Sequence, residues 1–254
     1  MFSELSHEII SSMDDKYLHL FASMSGAEFS KYLSEQESVP VMDMLYITMQ
    51  FCKGLIDQLP YHASPIVDDH EDSINILVEL QREGVLTFNG QRSTSNDWRQ
   101  RSYLFFIISF DQEQYEYIIQ LLEELHSKGL NVWARIEEKH SDENRYVSLF
   151  KAPKDYPSRE YDIYALNDTN EINISKDAMV HFNDPSIKAK TDLYEVTENS
   201  TCVFPYCRFE HMHMQLEYSH YYRLTCNVFN IEWDMLQADE IVLESVRELK
   251  ARLM

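Results

Sequence analysis

Apolar residues between positions 4 and 60 recur at helical spacing, in "MDDKYLHLFASM", in "GAEFSKYLSEQ" and most clearly in "VMDMLYITMQFCKGLIDQLP". In the last of these Met42, Leu45, Met49, Cys52 and Ile56 fall three or four residues apart, the stripe of a buried helix face. Pro40 opens that segment and Pro60 is expected to stop it. Cys52 lies on the stripe, so it reads as a small core residue and not as a nucleophile. A further helix is expected in "EDSINILVELQREG", where Ile74, Leu77, Val78 and Gln81 share a face. Asp68 or Asp69 can cap its start, and Gly84 suits the left-handed residue just past its end.

The period then changes. "VLTF" reads as a short strand and "NGQRSTSNDW" as a polar turn, with Asn89–Gly90 the dipeptide favoured in tight hairpins. "RSYLFFIISF" is a buried strand, followed by Asp111 as a cap with Gln114 three residues on, and by an amphipathic helix that Gly129 ends. "LNVWARIEE" and "RYVSLFKA" follow as strands. This order predicts an α+β fold, with N-terminal helices and a C-terminal helix packed on a mixed or antiparallel sheet. The strands flanking the crossover helix are expected to be neighbours, with helices on one sheet face. "KAPKDYPSRE" marks a candidate subdivision of the single domain spanning residues 1–254: a helical plus β-α-β-β part, 1–155, and a strand-rich part with a C-terminal helix, 156–254. In the latter "YDIYAL" and "EINIS" alternate like strands, and the closing helix places Ile241, Ser245, Leu249 and Leu253 on one seam.

Composition agrees with a globular chain, 44% hydrophobic and 26% charged over 254 residues. Charge alters the picture more, because the net value is -21. Residues 1–80 hold 14 acids against 3 bases, residues 81–160 hold 13 against 11, and residues 161–254 hold 16 against 8. Such a field repels phosphate backbones and anionic membranes and speeds association with cationic proteins. The expected partner is therefore a basic protein, with no direct nucleic-acid or membrane binding. Asp14, Asp15, Asp68, Asp69 and Asp72 are the candidate partner-binding acids. The four cysteines are too few for a disulfide framework, and no run approaches the ~18 apolar residues of a membrane span. The N-terminus lacks the basic and apolar regions of a signal peptide, so a cytoplasmic location is expected.

The motifs G-x-G-x-x-G, P-loop, G-x-S-x-G and H-E-x-x-H are missing, which points away from catalysis and from any cofactor. "HASPIVDDHED" is dense in carboxylates and imidazoles, yet it lacks EF-hand spacing and reads more simply as the acidic start of a helix. Cys202, Cys207, His211 and His213 are the residue types of a zinc site, but C-x4-C followed by H-x-H matches no familiar ligand spacing. A strand with histidines on one face and Met212, Met214 and Leu216 on the other accounts for that stretch.

The remaining candidate is a pocket formed by Glu71, Thr87, Asn89, Gln91, Arg92, Gln100 and Arg101. Amides, hydroxyls and arginines of this kind can grip a planar or anionic group, but none is a good general base. Glu71, Gly84, Thr87, Gln91, Gln100 and Arg101 also carry a likeness. Residues 58–110 resemble an uncharacterised actinobacterial domain family, in which an acid opens a helix that a Gly ends. A Thr-x-x-Ser-Gln-Pro-Gly motif and a Gln-Arg-Ala strand start follow. Gly90 stands where that pattern has Ser, and Arg92–Ser93 where it has Pro–Gly. The resemblance implies a shared fold element and no activity. Two readings of function result: an acidic interaction or inhibitor protein of immunity or counter-defence type, and a small-molecule-binding protein or enzyme with a pocket around the Thr87–Arg92 loop.

Overall fold

Every residue from Leu104 to Phe110 is buried, so the strand they form requires cover on both faces. The computed structural model describes residues 4–62, 71–91, 102–141, 144–149, 179–182, 215–231 and 237–253, and within these it shows how that cover is supplied. The helices are α1 (His7–Ser23), α2 (Gly26–Ser34), α3 (Val41–Cys52), α4 (Glu71–Arg82), α5 (Tyr115–Ser127) and α6 (Ala238–Leu253). The strands are β1 (Val39–Pro40), β2 (Val85–Gln91), β3 (Tyr103–Phe110), β4 (Leu130–Glu138), β5 (Asn144–Leu149), β6 (Met179–Phe182), β7 (Leu216–Glu217) and β8 (Tyr222–Asn230). Six strands form one antiparallel sheet in the order β2-β3-β8-β4-β5-β6, and β1 pairs in parallel with β7. The fold is α+β.

Strand alternation divides the interior in two. Leu104, Phe106, Ile108 and Phe110 face a core built with α5 and α6, including Ile118, Leu122, Ile241, Val242 and Leu249. Phe105 and Ile107, with Leu86 and Phe88 of β2, face a second core built with α1, α2 and α3 around Phe29, Met44, Tyr46 and Met49. α4 serves both, since Leu80 belongs to the first and Val78 to the second. Helices thus cover both faces of the sheet, not one, because β3 is apolar on both. All of α3 except Met42 is buried, so it is a core helix enclosed on all sides and not one with a single apolar stripe.

Three other expectations change. α3 ends at Cys52, well before Pro60, because Gly54 takes a left-handed conformation (φ 74°) and the N–H of Leu55 donates back to the Gln50 carbonyl. Ile56 remains buried, but outside the helix. β3 and β4 are not neighbours: β8 lies between them and pairs antiparallel with each, giving a split β-α-β unit. Asn89 and Gly90 do not turn the chain; they lie within β2, opposite Phe105 and Leu104, just past a register shift at Phe88. By contrast Gly84 and Gly129 do close α4 and α5 with positive φ, 82° and 98°, and Asp111 and Gln114 form the expected capping box. "YDIYAL", "EINIS" and the boundary near residue 155 lie outside the described residues. Strands from either side of that boundary share one sheet.

Charged side chains tie α6 to its neighbours. Arg247 reaches Glu79 and Glu83 of the α4 end, at 2.7 and 3.0 Å, and the largely buried Lys250 reaches Glu83 at 2.8 Å. Arg252 and Lys128 both bind Glu124 of α5, at 2.6 and 3.1 Å. Burial would raise the Glu124 carboxyl, but hydrogen bonds from its neighbours, Arg252 and Lys128 among them, outweigh it and hold the pKa down to about 2. Burial likewise opposes ionisation of Glu83, and Lys250 and Arg247 reverse it, leaving its pKa below the ordinary value.

A depressed folded-state pKa means stabilisation that is full above the unfolded value and lost as the pH falls through the folded one. For Glu124 that window runs from 4.5 down to about 2. The urea midpoint should decline across it, and Glu124→Gln should lower the midpoint at neutral pH and flatten the acid decline. Identical acid slopes for the two proteins would contradict this account.

Candidate functional site

Thr87 of the candidate pocket is buried, and its contacts are internal. Its hydroxyl accepts from Gln81 Nε2 at 2.6 Å, and its backbone N–H donates to Gln81 Oε1 at 3.4 Å. Among the described residues β2 is an edge strand, and the Gln81 amide, projecting from α4, occupies backbone and side-chain groups that would otherwise be free on that edge. Glu71 is the first residue of α4, while Asn89 and Gln91 lie along β2 opposite Phe105 and Tyr103. A Cβ at Gly90 would come within 2.8 Å of Leu104 Cδ1 and 3.3 Å of the Tyr103 carbonyl, so glycine here answers close strand approach. Arg92, Gln100 and Arg101 lie outside the described residues, as do Asp68, Asp69, Cys202, Cys207, His211 and His213.

Among the candidate acids Asp14 points to a tyrosine. The Tyr46 hydroxyl donates to it, and the Tyr17 hydroxyl and Lys16 both donate to Asp43, a buried carboxylate that sequence patterning did not single out. Burial first, and the adjoining carboxylate second, push both tyrosine hydroxyls above their usual pKa. Tyr17 stacks on Tyr46 at 6.0 Å, and Phe21 meets Phe29 edge-on at 5.0 Å, so these carboxylates fasten α1 to an aromatic core.

The other acids of this layer behave differently. Glu8, Asp15, Glu37 and Asp57, with Asp72 at the start of α4, are exposed and form no ion pair with described residues. Glu28 is also exposed, and its carboxylate caps its own helix through Ser25. Residues 4–62 contain 9 acids and 3 bases, of which Lys16 and Lys31 are already paired with Asp43 and Glu35. Large apolar side chains are exposed in the same layer: Leu18 at 45%, Tyr32 at 36% and Leu55 at 56%.

A second polar feature lies on the sheet. β8 sends Tyr222, Leu224, Cys226 and Val228 into the core with α5 and α6, and sends Arg223, Thr225, Asn227 and Phe229 to the opposite face. There Arg223 stands between Ser109 and Glu137, Thr225 between Ile107 and Arg135, and Asn227 between Phe105 and Trp133. Arg223 donates to Glu137, which also pairs with Arg135 at 3.1 Å. The Tyr218 ring lies 5.1 Å from the Arg223 guanidinium and 5.8 Å from Lys139 Nζ. Ser109 Oγ, Thr225 Oγ1 and Asn227 Oδ1 are buried without a hydrogen-bond partner. Leaving such a group unpaired costs roughly 1–3 kcal/mol. The pattern was visible in "RLTCNVFN" as polar residues at every second position of an apolar strand.

Neither described cysteine is suited to nucleophilic chemistry. Burial pushes the Cys52 thiol up to about 12 and raises that of Cys226 well above its ordinary value. Among the described residues no group of three or more His, Cys, Asp or Glu side chains could hold a metal, and no helix is long and apolar enough to cross a membrane. Comparison with known proteins gives no matching family model and no match among curated proteins.

The edge role of Gln81 is testable. Gln81→Ala should lower stability by roughly 1–3 kcal/mol, since it strips partners from the Thr87 N–H and hydroxyl. Hydrogen exchange should also quicken at Thr87 before it does at Phe106. Unchanged protection at Thr87 would count against the edge assignment.

Proposed function

We propose that the chain is an acidic interaction protein whose N-terminal helical layer binds a basic protein surface, acting in the cytoplasm as an inhibitor of immunity or counter-defence type. The observation that carries this reading is a group of exposed carboxylates that form no ion pair with described residues, beside exposed apolar side chains. Bases on α4 and α6 are spent on Glu79, Glu83 and Glu124, whereas Glu8, Asp15, Glu37, Asp57 and Asp72 form no ion pair with described residues. Unneutralised carboxylates create a field that steers a cationic partner and sets its orientation. Leu18, Tyr32 and Leu55 add what charge alone does not supply, apolar and aromatic groups able to anchor the contact once water is excluded. The same field opposes phosphate backbones and anionic lipid, which supports a protein partner over either.

Capture from lysate of the native host, repeated from ~0.05 to ~0.5 M salt, should enrich basic proteins that the higher salt releases. With the purified partner, Glu8→Lys with Asp15→Lys should slow association by about tenfold or more. The same charge change at Glu113 and Glu116, exposed acids at the start of α5, should have a much smaller effect. A partner that is not basic, or equal slowing by both pairs, would refute the reading.

A further inference from the structure

Leu55 and Leu18 are the two most exposed large apolar side chains among the described residues. The contacts of α1 set them along one edge of the helical layer. Asp14 accepts from Tyr46 of α3, and Lys53, just past the end of α3, lies within charge range of the same carboxylate. Further along, a Cβ at Gly26, the first residue of α2, would overlap the Asp57 carboxylate. The segment from Lys53 to Asp57 therefore follows α1 from Asp14 toward the junction with α2, and Leu55 lies midway. Leu18 is one helical turn past Asp14, on the side that this segment follows. Glu8 and Asp15 stand on the adjoining outer ridge of α1, exposed and in no ion pair with described residues, and Asp57 continues the acids beyond Leu55. The lysines within reach are turned to inward acids, Lys16 to Asp43 and Lys53 toward Asp14. No basic residue lies in the last turn of α1, so the negative end of its dipole adds to the same field.

We propose that this edge receives an amphipathic basic helix of the partner protein, with apolar side chains packed on Leu18 and Leu55 and lysines or arginines meeting Glu8, Asp15 and Asp57. The proposal rests on the interaction reading above and adds the form of the partner. Charge complementarity fixes the sign: exposed acids flank the two leucines, and the nearby lysines are engaged inward. Spacing decides for a helix. Glu8 and Asp15 are seven residues apart on α1, about 10.5 Å along its axis. Two bases seven residues apart on a partner helix stand at the same interval and on nearly the same face. A strand presents residues of one face about 6.6 Å and then about 13 Å apart, and so misses it. Leu18 follows Asp15 by three positions, which places an apolar residue of the partner three or four positions from one of its bases. Ser11 and Ala22, exposed on the same ridge, are small enough to let the helix axes approach to about 8–10 Å. The acids steer and orient the partner, and the leucines anchor it once water is excluded.

Fluorescence anisotropy with the full chain tests the proposal, using labelled peptides of identical lysine and leucine content, about five helical turns long. One peptide has helical period with lysines seven residues apart, one alternates lysine and leucine at strand period, and one is scrambled. The helical peptide should bind about tenfold or more tightly than either control. Leu18→Ser and Leu55→Ser, at exposed positions that leave the thermal midpoint unchanged, should each weaken it by about fivefold or more. Glu8→Lys with Asp15→Lys should weaken it by about tenfold or more, and Glu113→Lys with Glu116→Lys by less than about threefold. Equal binding of all three peptides, weakened only by the first charge-reversal pair, overturns the helix and leaves the acidic-surface reading standing. Absence of binding also overturns the proposal alone, because salt-dependent capture of a basic protein does not depend on that protein's secondary structure. Binding of the helical peptide that neither leucine variant weakens overturns the assignment of this edge. Self-association of the ligand-free chain in sedimentation velocity, abolished by Leu18→Ser, overturns it too, since a second copy would then occupy the edge. Equal weakening by both charge-reversal pairs overturns the proposal and the acidic-surface reading together.

Discussion

Burial of β3 on both faces is the constraint from which the architecture follows. A strand with one apolar face needs a single layer of helices; β3 needs two. α1, α2 and α3 close one side, α5 and α6 the other, and α4 lies along β2 with apolar residues in both cores. The arrangement also manages the sheet edge, where the Gln81 amide occupies groups that another chain would otherwise pair with. Removing either helical layer would expose large rings of the central strands, so the two cores depend on each other through the sheet.

On the α4–α5–α6 side acids and bases interlock, and the depressed Glu83 and Glu124 carboxyls show that the pairing there favours ionisation despite burial. In the helical layer at the other end the few lysines cannot balance the acids, and two carboxylates, Asp14 and Asp43, are drawn inward to tyrosines. What is left at the surface is carboxylate without counter-charge, beside exposed Leu18, Tyr32 and Leu55. A net charge alone is compatible with mere solubility; the proposed cationic partner rests instead on exposed carboxylates of the N-terminal layer that form no ion pair with described residues.

Much of this was legible in the amino-acid order by itself. Local rules suffice for the helix closed by Gly84, the buried run at β3, the capping box of Asp111 and Gln114, the helix closed by Gly129 and the seam of Ile241, Ser245, Leu249 and Leu253. Each depends on residues within a few positions of one another. Net charge and its bias toward the first 80 residues were equally plain, being sums over the chain. Tertiary structure decided everything that depends on strand neighbours. It inserted β8 between β3 and β4, carried Asn89–Gly90 along an edge strand in place of a turn, engaged Thr87 with Gln81 and turned Asp14 toward Tyr46. Such facts join residues up to 126 positions apart, as in the pairing of Tyr103 with Phe229, and no local pattern encodes which distant strand will arrive beside a given one.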